Sequence, residues 1–310
     1  MISKTLRIGT RGSQLALYQA ELVKRLIQAA SPGVTCDLSI IKTTGDRTQP
    51  RPVSLFETKR VFTQEIESAL AAGEVDLAVH SAKDVAVVMP AGLKTGAVLE
   101  REDCRDCVLT PDGKQLTSLP MGSRVGTSAL RRKTQLMNRY PGLQVLDLQG
   151  NVDTRIRKMM AGDYDAIILA YAGVKRIGLT QKVSELLPEE NFLPAPGQGA
   201  ILVQCREGEP ELDEVLSRIH HRESAVRLEC ERSFLRHLEG GCQLPCGIWS
   251  RLKDGQLEAG GILLSLDGAQ KVEARIQGPL DHMHQLGVGL ADLLLNKGGS
   301  RILNEIRRKS

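Results

Sequence analysis

Cys242 follows two glycines and precedes a proline in the run Leu238-Glu239-Gly240-Gly241-Cys242-Gln243-Leu244-Pro245. Gly240 and Gly241 permit backbone angles that other residues resist, and Pro245 stiffens the exit, so the thiol is predicted to be displayed from a tight turn. A small packed cysteine beside a turn fits the same residues, which leave both readings open. Three other stretches share a second chemistry: Gly9-Thr10-Arg11-Gly12-Ser13, Gly126-Thr127-Ser128-Ala129-Leu130-Arg131-Arg132 and Gly150-Asn151-Val152-Asp153-Thr154-Arg155. Each puts small or hydroxyl residues where a helix begins, leaving backbone N–H groups to be satisfied, and each adds arginine, which grips carboxylates bidentately. Singly they read as ordinary caps with solvated arginines. Three in one chain point to a polyanionic ligand. In His80-Ser81-Ala82-Lys83-Asp84-Val85 a strand ends on adjacent opposite charges. A carboxylate there could stabilise a developing cation or move a proton, and the lysine could bind a substrate anion; a solvated charge pair is the ordinary alternative.

These residues need elements to hold them. Leu6 to Thr10 reads as a strand, and Leu15, Tyr18, Leu22 and Leu26 recur at helical spacing after it. Cys36 to Ile41 and Val75 to His80 read as strands, with Phe62, Ile66 and Ala69 marking a helix between them. Strands recur at Arg124 to Thr127, Gln144 to Leu148 and Ala166 to Ala170, each followed by a helical stretch. This βαβ rhythm predicts parallel sheets with helices on both faces. Pro194-Ala195-Pro196-Gly197-Gln198-Gly199 interrupts it, and the strand Ala200 to Cys205 is placed to return to the first sheet, so that two crossings make a hinge. Beyond Ser224 come a helix ending at Gly240, β-like stretches at Trp249 and Leu257 to Leu264, and helices toward Ile302. The expected organisation is a discontinuous α/β domain over 1–99 and 200–217, a second over 100–199, and a smaller α+β domain over 218–310.

A chain of 310 residues, 41% hydrophobic, can bury two or three cores. With 41 basic and 37 acidic residues and only 3% aromatics, it has neither the charge footprint nor the stacking platforms of a nucleic-acid binder. Seven scattered cysteines indicate free thiols in a reducing compartment. No apolar run is long enough for a bilayer and no signal pattern opens the chain, so a cytoplasmic protein is expected. Cys104 and Cys107 have metal or redox spacing, but no second pair completes a zinc site; Cys246 is read as a free thiol, and His220-His221 as a helix terminus near the hinge.

The strings AVHSAKDV, VGTSALRR, YDAIILA, PGQGA and LEGGCQLP, in this order and spacing, resemble the porphobilinogen deaminase (hydroxymethylbilane synthase) family over nearly the whole chain. The resemblance implies two lobes like those of class II periplasmic binding proteins, plus a small C-terminal α+β domain. It implies a dipyrromethane cofactor joined by a thioether to Cys242. It implies a transferase of tetrapyrrole (haem) biosynthesis that condenses four porphobilinogen molecules head to tail, with loss of ammonia, into hydroxymethylbilane. On matching positions, Asp84 is the catalytic carboxylate, with Arg11 and Lys83 beside it. The resemblance also implies that Ser13, Lys83, Ser128, Arg131, Arg132 and Arg155 hold carboxylates and that Phe62 stacks on a pyrrole ring. Lys59, Ser81, Thr127, Gln149, Gly150, Asn151 and Gln198 complete the candidate binding set. Porphobilinogen is the expected partner, with no nucleic acid, membrane or metal, and a monomer is the family expectation.

The departures cluster around the ligand. Gln149 stands where the family usually has arginine; losing one charge-assisted contact costs about 1.5–3 kcal/mol, or about ten- to a hundredfold in affinity. A loop that usually reads Gly-Gly-Lys-Gly-Leu-Phe is here Glu57-Thr58-Lys59-Arg60-Val61-Phe62, replacing three flexible positions by side chains. Ala86, Ala129 and Leu55 replace a usual proline, serine and lysine. A weakened relative that binds a pyrrole or other carboxylated ligand without turnover therefore stays open as an alternative. Cys242, Lys83 and Asp84 together favour the enzyme. A true solute-binding protein is disfavoured by the absence of an export signal.

Overall fold

Apolar and polar residues alternate along Lys4–Thr10, which extends as strand β1 with Leu6 and Ile8 buried. The computed structural model describes residues 4–44, 63–238 and 244–309, and within them the chain divides into two units. The first comprises residues 1–102 and 200–228, the second 103–199 and 229–310.

In the first unit β1 leads into helix α1 (Gln14–Ala30), which buries Gln19, Ala20, Val23 and Ile27 along one face at helical spacing. Then follow β2 (Val34–Ile40), α2 (Gln64–Ala71), β3 (Leu77–Ser81) and β4 (Leu93–Val98). From later in the chain come β10 (Ile201–Arg206) and α6 (Pro210–Ser217), labels running in chain order. The sheet order is β2-β1-β3-β10-β4. Its core joins the inner faces of β1, β3 and β10 to α1 and α6 through Ile8, Ile27, Leu77, Val203 and Leu216, all fully buried.

The second unit holds β5 (Asp106–Leu109), β6 (Arg124–Gly126), α3 (Leu130–Arg139), β7 (Gln144–Leu146), α4 (Val152–Met160), β8 (Ala166–Ala170), α5 (Tyr171–Arg176) and β9 (Glu185–Leu186). Their sheet order is β7-β6-β8-β5-β9. Helix α7 (Arg222–His237) runs across the division between the units. It leads to a three-stranded antiparallel sheet of β11 (Cys246–Lys253), β12 (Gln256–Leu264) and β13 (Lys271–Pro279), followed by α8 (Met283–Leu294) and α9 (Ser300–Lys309). Within the second unit this small α+β layer packs on the segment after β9, where Leu193 joins Trp249, Ile262 and Leu264 in one cluster. The Ile248 N–H donates to the Pro194 carbonyl at 3.0 Å.

The α/β class and the small α+β layer are as the sequence predicts, but the sheets are mixed rather than parallel. In the first, β1 pairs in parallel with β2 and β3, while β10 runs antiparallel to β3 and β4. In the second, β6 is parallel to β7 and β8, while β5 runs antiparallel to β8 and β9. Both sheets share one plan: three strands linked by helical crossovers, then a strand that joins from outside that run. Only strands connected by a helical crossover are held to the parallel direction.

Candidate active site

In the first unit the parallel trio β2, β1 and β3 brings its carboxyl ends together. Beyond β1, Arg11 and Ser13 form the turn into α1, and the Ser13 hydroxyl accepts the Ala16 N–H at 3.3 Å as the helix N-cap. At the last residue of β3, Ser81 accepts a hydrogen bond from the buried Gln19 amide at 2.9 Å, which ties the end of β3 to α1. Ala82–Asp84 form a single 3-10 turn, closed by the Val85 N–H on the Ala82 carbonyl at 3.3 Å. The Ala82 N–H in turn reaches the Ala200 carbonyl at 3.0 Å. Residues three apart eclipse in such a turn. Ala82 and Val85 are both buried, in a cluster with Val98, Ala200, Leu202 and Leu228. Lys83 and Asp84 therefore take the other side, half-buried on a backbone pinned from below. Arg11, Ser13, Ser81, Lys83 and Asp84 thus share one sheet edge, where α/β sheets bind ligands.

His80, next to this edge, is 5% exposed, and its Nε2 has no hydrogen-bond partner among the described residues. Burial pushes its pKa down from 6.5 to about 4, with Gln204 opposing. The ring is neutral in the folded protein, so its stabilisation is complete above about pH 6.5 and is lost as pH falls toward 4. The expected loss is about 3 kcal/mol between pH 7 and pH 4. Unfolding titrations of His80→Gln at both pH values should lack this increment; an unchanged pH dependence would remove His80 as its source.

In the second unit, the Thr127 N–H beyond β6 donates to the Leu146 carbonyl at 2.9 Å, and the Thr127 side chain is fully buried. The Ser128 hydroxyl donates to the Leu148 carbonyl at 2.8 Å and accepts the Leu148 N–H at 3.0 Å, joining the exits of β6 and β7. Beyond β7, Gln149, Gly150 and Asn151 are exposed. Gly150 has φ +117, where a side chain would be strained and a Cβ would stand 2.7 Å from the Thr154 methyl. Arg155 Nε donates to the Gly150 carbonyl at 2.6 Å, and Lys158 Nζ to the Gln149 carbonyl at 3.2 Å. Two cations thereby stand at the loop where sequence reasoning noted a missing arginine. Asn151 precedes α4 without a side-chain cap bond.

Arg131 and Arg132 are not the solvated side chains of an ordinary cap. Their side chains are 6% and 5% exposed and converge on Asp106 of β5, which is fully buried. Arg131 Nη1 donates to Asp106 Oδ2 at 2.6 Å and to the Leu193 carbonyl at 2.5 Å. Arg132 reaches Asp106 Oδ1 through Nε at 3.1 Å and Nη2 at 2.8 Å, and its Nη1 donates to the Ile168 carbonyl at 3.0 Å. Gln198 adds its amide to the same oxygen at 2.8 Å and to the Cys104 carbonyl at 2.7 Å. Burial would raise the Asp106 pKa, but the two guanidinium charges and their hydrogen bonds hold it well below the carboxylate range. Asp106 was not among the residues singled out from sequence. It lies inside Cys104-Arg105-Asp106-Cys107, a string read for its thiols, both of which are buried and outside any disulfide. No cluster of metal-ligating side chains occurs among the described residues.

Cys242, Lys59 and Phe62, with the loop from Leu55 to Val61, lie outside the described residues. His221 precedes α7, where its Nδ1 accepts the Ser224 N–H at 3.2 Å. No helix among the described residues is long and apolar enough to cross a membrane.

Two mixed sheets flanked by helices, one in each unit, with a small antiparallel sheet in the second, define a protein of the α/β class. Family models match on both sides of α7's start: "Porphobilinogen deaminase, dipyromethane cofactor binding domain" over residues 6–214, and "Porphobilinogen deaminase, C-terminal domain" over residues 225–296. The chain is 44% identical to the porphobilinogen deaminase of Syntrophobacter fumaroxidans, over 99% of this chain and 100% of that one. It is 46% identical to that of Syntrophomonas wolfei, over 98% and 100%. Among solved structures, the methionine-binding protein MetQ superposes with TM-score 0.46 at 12% identity, over 73% of this chain and 94% of that one. The chain belongs to the porphobilinogen deaminase family.

Proposed function

We propose that this protein condenses four porphobilinogen molecules into hydroxymethylbilane on a dipyrromethane held through Cys242, as a monomer in the cytoplasm, with the domain division 1–99 with 200–217, 100–199 and 218–310. The observation that carries the reading is the half-buried Lys83-Asp84 pair, fixed at a sheet edge by a buried turn. Porphobilinogen carries acetate and propionate groups, which match the arginines and lysines of both sheets in charge. The dipyrromethane, when bound, supplies a pyrrole α-carbon as the nucleophile. Its own carboxylates call for cationic donors. The Nε and Nη2 edge of Arg131 has no hydrogen bond among the described residues, and Arg155 and Lys158 add charge nearby in the chain.

Pyrroles are already nucleophilic, so the protein's task is to position one ring and stabilise the cation left when the other loses its amine. Asp84 accepts hydrogen bonds from the pyrrole N–H groups and offsets that positive charge as ammonia departs. Arg11, Ser13, Ser81 and Lys83, with Lys59 and Phe62, bind and orient the substrate. Thr127, Ser128, Arg131, Arg132, Gln149, Gly150, Asn151, Arg155 and Gln198 hold or support the carboxylates. The intact mass of the denatured protein, before and after addition of porphobilinogen, tests this reading. A dipyrromethane-sized excess followed by a ladder of single pyrrole additions is expected. A chain that stays at its unmodified mass after attempted reconstitution would overturn it in favour of a non-catalytic binding relative.

A further inference from the structure

Two guanidinium groups against one carboxylate leave the Arg131, Asp106 and Arg132 cluster with one surplus positive charge inside the second unit. Every nitrogen of Arg132 already makes a hydrogen bond, to Asp106 or to the Ile168 carbonyl. Arg131 differs. Its Nη1 is used twice, on Asp106 and on the Leu193 carbonyl, which fixes the rotation of the guanidinium plane. Nε and Nη2 donate to nothing among the described residues, on a side chain that is 6% exposed. An Nε and Nη2 edge presents two parallel N–H bonds, the geometry that accepts both oxygens of a carboxylate.

We propose that Asp106 is a positioning residue: by holding Nη1 of Arg131 it turns the Nε and Nη2 edge outward for one carboxylate of the bound pyrroles, and it tempers the buried charge that this carboxylate completes. The proposal rests on the reading that Arg131 binds a ligand carboxylate. Gln198 and Leu193 serve the same end. The Gln198 amide braces Asp106 Oδ1, and the Leu193 carbonyl is held by the Gln135 amide at 3.1 Å while its N–H donates to Gln135 Oε1 at 2.8 Å. One carboxylate thus orients a binding arginine from a strand 25 residues earlier in the chain.

The test compares the full chain as wild type, Asp106→Asn, Asp106→Glu, Arg131→Gln and the double variant Asp106→Asn with Arg131→Gln. Dipyrromethane occupancy is read by intact mass, KM and kcat for porphobilinogen by steady-state assay on the occupied fraction, and folding by thermal midpoint. Asp106→Asn is expected to lower occupancy or raise KM by about tenfold, with kcat moved less. Asp106→Glu, which keeps the charge but shifts it by one methylene, should give a smaller change of the same kind. The double variant should be no worse than Arg131→Gln alone, because Asp106 acts only through the Arg131 edge. A lowered thermal midpoint with wild-type KM and occupancy in Asp106→Asn, while Arg131→Gln shifts either, would overturn the positioning role. If Asp106→Asn does not fold, Asp106→Glu decides in the same way. If Arg131→Gln itself changes neither KM nor occupancy, the underlying assignment of Arg131 fails instead.

Discussion

Asp84→Asn is expected to keep the attached cofactor and the native fold while turnover falls by about a hundred- to ten-thousandfold, the range for loss of a positioned acid or base. The fold should survive because Asp84 is not what holds its turn. Ala82 and Val85 are buried beneath it, the Val85 and Ala82 N–H groups are bonded to backbone carbonyls, and Asp84 lies on the opposite, half-buried side. Asparagine has the same shape and still accepts one hydrogen bond from a pyrrole N–H. What it lacks is the negative charge, and charge matters most as the amine leaves and a cation forms in a partly desolvated site. The effect should therefore fall on kcat more than on KM. Steady-state kinetics together with intact mass checks the outcome. Near-normal turnover in a protein shown to carry the dipyrromethane would remove Asp84 from the chemistry. A loss of occupancy with normal kcat on the remaining fraction would move its role to assembly.

The sequence makes the sheet edges legible because strand ends and helix starts are local. The strand at Ala166 to Ala170 coincides with β8, since four of its five residues are fully or nearly fully buried and none is polar. The third strand of the small sheet was not predicted. Val272, Ala274 and Ile276 alternate there with Lys271, Glu273, Arg275 and Gln277, the period of a half-buried strand, so the pattern was present although only Ala274 is fully buried. Strand direction is different, because it is not a local property. The return of Ala200 to Cys205 to the first sheet was legible, but nothing in β5 or β10 themselves records that they join antiparallel. The candidate site divides the same way. Lys83 and Asp84 show as a charged pair after a strand, whereas Asp106 becomes significant only through partners 25, 26 and 92 residues away. Arg131 and Arg132 were legible as arginines at a helix start, but their burial is a tertiary fact. It decides which nitrogens remain for a ligand.

Cys242→Ser is expected to abolish the dipyrromethane-sized mass excess completely, and with it all turnover. The other six cysteines, at 36, 104, 107, 205, 230 and 246, are all buried. Burial pushes the thiols of Cys36 and Cys205 up to about 11, and those of Cys107 and Cys230 up to about 12. A thiol held so far from ionisation is a poor nucleophile, and a packed one has no room for a pair of pyrrole rings. Cys242 remains. The segment that carries it joins α7 to β11 between two anchored ends: Leu238 is 1% exposed, and the Pro245 carbonyl accepts the Leu264 N–H at 3.0 Å. Serine matches cysteine in shape at such a position but forms no thioether, so the adduct should disappear without loss of the folded protein. Cys246→Ala, four residues along and at the buried start of β11, should keep the adduct. Intact mass of both variants separates the cases: retention of the full excess in Cys242→Ser would place the attachment elsewhere, and its loss in Cys246→Ala alone would place it at Cys246.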